Sequence, residues 1–168
     1  MKRIAVLLAT VMLCVCAVSA QDPVEGYWIS VDEKTDQATA GWKIYVENGK
    51  LFGMITSVAG FPQDVKAFGC KGRGPYEGFP IPGELAEMTT VGTAWIYDLE
   101  KQAEGIWAKG SIVDPNDGKK YKCKITFRKA DGKKYKTDML EMRGEIGLGI
   151  GRSQFWTRAT KEEAEALR

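Results

Sequence analysis

Side chains capable of chemistry are present in this sequence, but none stands in a catalytic arrangement. The 168 residues contain no histidine, which excludes Ser-His-Asp and Cys-His catalytic groups and every histidine-ligated metal site. Ser153 lies outside the G-x-S-x-G spacing of a nucleophile elbow and lacks a histidine to activate it. Among the 22 acidic residues no pair is distinguished from the others. We therefore expect no catalytic residue and a protein that is not an enzyme.

Two short motifs resemble ion-binding sequences. Asp114, Asn116 and Asp117 precede a glycine as in a calcium loop, but Ile125 occupies the position of the bidentate glutamate. The run GLGIG, residues 147–151, lacks the G-x-G-x-x-G spacing and precedes a predicted strand, so it offers no helix N-terminus to a phosphate. We interpret the first motif as a hairpin turn and the second as a bend. We expect neither a metal nor a cofactor.

Tryptophans and arginines are the candidate ligand-binding residues. Trp42, Trp95 and Trp107 lie among alternating strand residues, where an inward aromatic side chain either fills a core or lines a cavity. Arg143 and Arg152 flank the glycine-rich bend. We favour a structural role for these two arginines, bonding carbonyls and carboxylates at the end of the fold. The alternative is that they anchor an anionic headgroup.

The first twenty residues have the pattern of a secretory signal peptide. Lys2 and Arg3 precede an apolar run over residues 4–18, and small residues end the pattern at Ala20. The run is shorter than the roughly 20 residues of a membrane-spanning helix. The remaining chain keeps 22 of the 24 basic residues and all 22 acidic ones, so it is formally neutral. We expect export to the periplasm or the extracellular space, with no integral membrane insertion and no nucleic-acid partner.

Cys70 and Cys123 are the cysteines that remain after the predicted cleavage. In an oxidising compartment the default expectation is that they form a disulfide bond. Such a bond would stabilise the fold by about 4 kcal/mol in the chain-entropy model. The alternative is two buried free thiols.

Alternating apolar and polar residues predict about eight strands. Residues 41–58 form a predicted hairpin around an Asn-Gly turn, and residues 105–128 form a second hairpin with a turn at 114–118. Eight short antiparallel strands with mostly short connections indicate an all-β, up-and-down barrel. Residues 160–168 begin with the capping-box spacing Thr-x-x-Glu, which predicts a short C-terminal helix. The whole of residues 21–168 is predicted to be one domain.

One segment interrupts the succession of strands. Between Gly60 and Gly83, ten of 24 residues are Gly or Pro, and Phe61, Phe68, Tyr76 and Phe79 are interleaved with them. Loops of this length are usually functional or mobile. We expect a structured cover that packs its aromatic side chains on the barrel, with a mobile lid as the alternative.

Three motifs, in order, resemble a known bacterial family. They are the opening Gly26-Tyr27-Trp28, the run IVDPNDGKKYKCKITF at 112–127, and the run RGEIGLGIGRSQFWTR at 143–158. The family is the domain of unknown function 2147, whose members are small exported proteins thought to be lipocalin-like. The opening also resembles the G-x-W motif of lipocalins, in which the Trp packs at the closed barrel end against an Arg of the last strand. The resemblance implies a lipocalin-like barrel in which Trp28 has this structural role, with Arg152 or Arg158 as its partner.

The predicted function is noncatalytic binding of a small apolar or amphipathic ligand. Eight-stranded barrels lie near the size at which side chains either fill the interior or leave room for one small ligand. The partner we expect is therefore a small lipophilic molecule, bound by a monomer or a weak homodimer. The alternative is an envelope scaffold or protein-interaction module with a solid core.

Overall fold

The computed structural model describes residues 21–147 and 149–167, and this part of the chain forms a closed antiparallel barrel. Eight strands follow one another around the barrel in sequence order, and a short helix comes last. The eight-stranded up-and-down barrel and its C-terminal helix, predicted from the sequence, are confirmed. The predicted signal peptide, residues 1–20, lies outside the described residues. The elements are β1 (Gly26–Val31), β2 (Ala38–Glu47), β3 (Lys50–Val58), β4 (Ala94–Ala103), β5 (Ile106–Val113), β6 (Lys120–Arg128), β7 (Met139–Gly147), β8 (Ile150–Ala159) and α1 (Lys161–Glu165).

Pairing of the first and last strands closes the barrel. Trp28 of β1 lies opposite Arg158 of β8, in register with the rest of the sheet. The tight turn between β2 and β3 contains Asn48 and Gly49, with φ angles of 50° and 77°. Positive φ at both central positions is what a type I′ hairpin turn requires. Because β1 and β8 pair with each other, neither strand leaves an open sheet edge.

One half of the barrel interior is filled by large side chains. A Cβ placed on Gly53 would lie 2.9 Å from Cδ1 of Ile44 and 3.0 Å from Cβ of Ile96, which shows how closely this half is packed. The other inward side chains here come from seven strands and are all buried: Trp28, Leu51, Leu99, Trp107, Ile125, Leu140 and Trp156.

The N-terminal segment seals the packed half. Asp22 accepts a hydrogen bond from the backbone N–H of Gly105 (3.2 Å) and forms an ion pair with Nζ of Lys101 (2.9 Å). The carbonyl of Val24 accepts from the indole of Trp28 at 2.8 Å. Burial opposes ionisation of Asp22, but the bonds from Lys101 and Val24 outweigh it and hold the pKa below its usual range. This end of the barrel is therefore closed.

Helix α1 packs on the outside of the barrel. Thr160 caps it, with its hydroxyl accepting from the N–H of Glu163 and its own N–H donating to the Glu163 carboxylate. The carbonyl of Ala164 accepts from the hydroxyl of Thr56 at 2.7 Å. A Cβ on Gly41 would lie 1.7 Å from that carbonyl oxygen, so only glycine lets the helix approach β2 this closely. Within residues 21–147 and 149–167, no helix is long and apolar enough to cross a membrane.

The long connection between β3 and β4 covers the outer face of β4. Phe79 packs against Trp95 and Tyr97, with ring centroids 5.8 Å and 5.3 Å apart. Tyr76 donates its hydroxyl to the carbonyl of Gly118 at 2.7 Å. This part of the loop is the structured cover that the sequence led us to expect. Phe61, by contrast, stays exposed.

The predicted disulfide between Cys70 and Cys123 is wrong, because both residues are buried free thiols. Cys70 lies in the long loop beside Gly118, and its Cα is 3.0 Å from the position that a Cβ on Gly118 would occupy. Cys123 lies five residues beyond Gly118 in the chain, a distance of about 16 Å for extended backbone. A disulfide needs Cα atoms within roughly 7 Å. Burial raises the pKa of both thiols.

Candidate ligand-binding cavity

The half of the barrel away from the N-terminal segment encloses a cavity of about 920 Å³. It opens at the end where the β1–β2, β3–β4, β5–β6 and β7–β8 connections meet. Ligand pockets in proteins span about 300–1,000 Å³. The barrel is therefore packed at one end and has room for a small molecule at the other.

An aromatic pair forms the floor of the cavity. Trp42 lines the cavity and stacks on Trp156 of β8, with ring centroids 4.7 Å apart and planes 22° apart. Ile55, Ile112 and Met142 contribute apolar wall from β3, β5 and β7. These residues face inward because alternate residues of a strand point to the same side. The deep part of the cavity is consequently apolar.

The absence of a side chain at Gly144 leaves part of this cavity open. It lies on the inward face of β7, two residues beyond Met142, and lines the cavity. A Cβ there would meet Cβ of Tyr121 at 3.6 Å and Cγ2 of Ile112 at 3.9 Å, which are ordinary contact distances. The contrast with the crowded Gly53 marks the boundary between the two halves of the interior.

A few polar groups stand beside the aromatic floor. Trp42 donates its indole N–H to the hydroxyl of Ser30 at 3.2 Å, and Ser30 donates to the carbonyl of Ala40 at 3.2 Å. Gln154 accepts from the indole of Trp156 through Oε1 at 3.2 Å. Within the described residues the amide NH₂ of Gln154 has no hydrogen-bond partner, so it is a donor available to a ligand.

The mouth of the cavity combines an ion pair with exposed apolar side chains. Arg152 of β8 donates to Glu33 of the β1–β2 connection through Nη2 at 2.9 Å and Nε at 3.3 Å. Ile146, Ile150 and Phe61 also line the mouth, yet they are 70%, 62% and 56% exposed. Large apolar residues clustered around an opening typically mark a place where another apolar surface binds.

The three predicted tryptophans occupy three different environments. Trp42 lines the cavity. Trp107 faces inward but lies in the packed half, near the sealed end. Trp95 points away from the interior, lies under the long loop, and donates its indole N–H to the carbonyl of Thr90 at 2.8 Å. Neither Trp95 nor Trp107 lines the cavity, so the structure brings only one of the three to it.

The two predicted arginines are also separated. Arg143 lies on the outside of β7, where Nε donates to Glu145 at 2.6 Å and Nη2 to the carbonyl of Gly149 at 2.9 Å. It holds the β7–β8 turn in place. Arg152 lies at the cavity mouth and is paired with Glu33.

Trp28 lies under the guanidinium of Arg158. The Cζ atom of Arg158 is 3.9 Å from the ring centroid of Trp28 and 6.0 Å from that of Phe127. The same guanidinium donates to the carbonyls of Glu25 at 2.7 Å and Pro23 at 2.6 Å. Arg158, and not Arg152, is therefore the arginine that packs on Trp28, at the end opposite the cavity mouth.

Several cavity residues were not predicted from the sequence. Gly144, Gln154, Tyr121 and Met142 all line the cavity. Strand alternation places Gly144 on the same face as Met142, so extending the pattern by two residues would have identified it. The sequence contains no comparable signal for the depth at which packing stops.

A second depression, of about 860 Å³, lies on the outer wall. Residues of β3, the long loop and α1 line it, among them Met54, Pro62 and Glu165. Met54 and Thr56 point outward from β3, so this depression lies outside the barrel and faces solvent. The interior cavity, which opens only at one end of the barrel, is the better candidate site.

Comparisons with known proteins agree with this architecture. No curated protein sequence matches the chain. The solved structure of protein HP1028 from the human pathogen Helicobacter pylori, described as belonging to the lipocalin family, is similar at a TM-score of 0.64. The match has 18% sequence identity and covers 88% of this chain and 90% of that chain, so it supports the shared fold. The profile of DUF2147, described as an uncharacterized protein conserved in bacteria, matches residues 26–158. With its lipocalin-like barrel and a family match from β1 to β8, the chain belongs to the DUF2147 family.

Proposed function

We propose that the protein binds a small apolar or amphipathic molecule in the barrel cavity. The observation that carries the proposal is the contrast between the two halves of the interior. Large side chains fill one half, whereas the other leaves about 920 Å³ above the stacked Trp42–Trp156 pair. A solid core would be the simplest interior for an envelope scaffold. The cavity therefore favours binding over that alternative.

The lining indicates the class of ligand. The deep wall is made of Ile55, Ile112 and Met142, which favour an apolar group by removing it from water. The amide of Gln154 and the ion pair of Arg152 with Glu33 provide polar contacts closer to the mouth. An amphipathic molecule whose apolar part lies deepest fits this distribution.

We infer that binding is noncatalytic. Besides Glu33, which pairs with Arg152, two carboxylates line the cavity mouth, and both accept hydrogen bonds from the backbone of turns. Asp32 accepts from the N–H groups of Lys34 and Thr35, and Asp114 accepts from the N–H of Asn116. The backbone bonds to Asp32 lower its pKa, so it remains ionised and is a poor proton donor at neutral pH.

The test is a substitution in the cavity wall that places a large side chain in the cavity. In Gly144→Phe the new ring extends into the space beside Tyr121 and Ile112. Gly144→Ala, which adds a single methyl group, is the matched control. The probe is a fluorescent fatty acid, and the readout is fluorescence energy transfer from tryptophan to the probe. We expect the parent and Gly144→Ala to bind it, with a stabilisation of about 2.7 kcal/mol at a hundredfold excess over Kd.

Gly144→Phe is expected to melt at or above the temperature of the parent and to lose the probe. Equal binding by Gly144→Phe and the parent would place the ligand outside the cavity. No binding of fatty acids or membrane lipids by the parent, together with no small molecule copurifying in native mass spectrometry, would favour the scaffold.

We further propose that the protein acts outside the cytoplasm after removal of residues 1–20. The support is the signal-peptide pattern ending at Ala20. Intact mass of the protein recovered from the producing cells is the measurement, and a chain starting at Gln21 without a lipid is expected. A retained Met1 or an added acyl mass would contradict the proposal.

A further inference from the structure

Gln154 has an amide whose orientation is fixed by the aromatic floor of the cavity. Its Oε1 accepts from the indole N–H of Trp156 at 3.2 Å. An indole N–H can only donate, so the amide oxygen has to face it and the NH₂ group is left for another acceptor. Among the described residues, the buried side-chain nitrogen and oxygen atoms without a hydrogen bond belong to Tyr97 and Trp107. The unpaired nitrogen of Gln154 is therefore accessible from the cavity that this residue lines.

The two tryptophans of the floor have no free donor of their own. Trp42 donates its indole N–H to the hydroxyl of Ser30 at 3.2 Å. Ser30 in turn donates its proton to the carbonyl of Ala40. The indole of Trp156 donates to Gln154. A ligand oxygen beside the floor therefore finds its donor in the amide of Gln154.

This donor lies inside the barrel, below the charged mouth. Strand alternation along β8 places Arg152, Gln154 and Trp156 on one face, in order from the mouth to the floor. Gln154 is two residues from Arg152, about 7 Å for extended backbone. Glu33 holds the guanidinium of Arg152 at the mouth, with Nη2 2.9 Å from Oε2. An ion pair needs a separation of roughly 4 Å or less, so a ligand oxygen bound to Gln154 is not paired with Arg152.

The charges around the cavity disfavour an anion at this depth. Among the described residues that line it, Arg152 is the one cation, and its charge is matched by Glu33. Asp32 and Asp114 also line the cavity, so carboxylates outnumber guanidinium groups at the mouth. An anionic group bound at Gln154 would lose its hydration without gaining a cation as partner. An uncharged oxygen can accept from Gln154 without this penalty.

We propose that Gln154 selects ligands with an uncharged oxygen acceptor, such as an ester, ketone or alcohol oxygen, over ligands with a carboxylate. The inference rests on the proposed function, because it names the polar part of the molecule bound in the same cavity. The apolar part of the ligand lies against Trp42 and Ile112, and its oxygen accepts from the amide NH₂ of Gln154. A fatty acid binds through its chain but more weakly, because its carboxylate has to stay hydrated at the mouth.

The experiment is calorimetric titration with three ligands that share one medium-length alkyl chain. They are the carboxylate, its methyl ester and the corresponding alcohol, all measured at neutral pH. The parent is expected to bind the ester and the alcohol about tenfold more tightly than the carboxylate, because each keeps the hydrogen bond from Gln154 without desolvating a charge. Gly144→Phe is expected to bind none of the three.

Two substitutions at Gln154 separate its donor from its packing. Gln154→Glu keeps an oxygen for the indole of Trp156 but replaces the NH₂ donor by a second acceptor. It should weaken binding of the ester by about tenfold, and of the alcohol by less, because the alcohol can donate to the new carboxylate. Gln154→Met removes the donor without adding a charge and should weaken the ester by about fivefold. The matched control is Gln102→Glu, the same change at an exposed position of β4, which should bind as the parent does; melting temperatures report whether each variant is folded.

A carboxylate that binds the parent as tightly as the ester would overturn the inference. Equal ester affinities in both Gln154 variants and in Gln102→Glu would overturn it as well. In either case, loss of binding in Gly144→Phe would leave the proposed function standing, because the cavity would still be the site. If the parent binds none of the three ligands, or Gly144→Phe binds them as the parent does, the proposed function is itself refuted.

Discussion

Replacing Arg158 by alanine should destabilise the barrel substantially although the side chain is partly exposed. The guanidinium stacks on Trp28 at 3.9 Å and donates to the carbonyls of Glu25 and Pro23. These contacts tie β8 to the segment that seals the packed end. Arg158→Ala removes all of them while leaving the strand pairing of Trp28 with residue 158 intact.

The magnitude follows from those contacts. A cation–π contact of a solvent-exposed guanidinium is worth about 0.5–1 kcal/mol, and hydrogen bonds from a charged group contribute about 1.5 kcal/mol or more each. Water can replace the guanidinium at the two carbonyls, so we reduce their share and expect a total of about 3 kcal/mol. For a domain of this length, that loss lowers Tm by about 6–12 °C.

Urea denaturation followed by tryptophan fluorescence is the assay, with unchanged m-values as the check that two states are compared. Arg158→Lys keeps the charge but loses the two-pronged donor and should fall between the parent and Arg158→Ala. Arg152→Ala is the control, because its ion pair with Glu33 is exposed and should contribute about 0–1 kcal/mol. If Arg158→Ala and Arg152→Ala lower the free energy of unfolding by the same small amount, the arginine stacked on Trp28 does not stabilise the closed end.

Three further outcomes are expected. Asp22→Asn should lower the free energy of unfolding by about 1–3 kcal/mol at pH 7. Because the pKa of Asp22 is lowered in the folded protein, its stabilisation is present above the unfolded pKa and is lost as pH falls from about 5 to 2. Denaturation curves of the parent and the variant should therefore converge at the acid end of this range. Thiol titration of the unfolded mature chain without reductant should give free Cys70 and Cys123, and dithiothreitol should leave Tm unchanged; a drop in Tm would indicate a bond between them. Gly41→Ala should lower stability by about 1–3 kcal/mol, because its Cβ would overlap the carbonyl of Ala164; a urea midpoint equal to that of the parent would show that α1 shifts freely.

Local patterns in the sequence determined the barrel, because each hairpin depends on neighbouring residues. The turn at Asn48-Gly49 and the alternation of Trp42, Ile44 and their polar neighbours predict β2 and β3 without knowledge of the rest of the chain. The chain order of the strands is also their order around the barrel. Short connections between antiparallel strands make this arrangement the expected one.

Position along the barrel axis could not be predicted in the same way. Alternation places both Trp42 and Trp107 inside but does not say that one meets empty space and the other tight packing. The outward orientation of Trp95 was not predicted for a different reason. Residues 94–97 of β4 are buried on both faces, because the core covers the inner face and the long loop covers the outer face. A strand covered on both sides has no polar face that could reveal its orientation. The predicted disulfide was wrong because it was inferred from an oxidising compartment and the presence of two cysteines, neither of which fixes the distance between their Cα atoms.

The division of the interior into a packed half and an open half separates the residues that stabilise the barrel from the residues that shape the cavity. Side chains such as Ile112 and Met142 face the cavity, so enlarging or shortening them changes fewer packed contacts than the same change at Leu51 or Leu140, which are fully buried. Sequence drift at the open half can thus reshape the pocket while the opposite half preserves the barrel. Under the proposed function, substitutions at the open half could change which ligand is bound without the stability of the barrel having to be recovered each time.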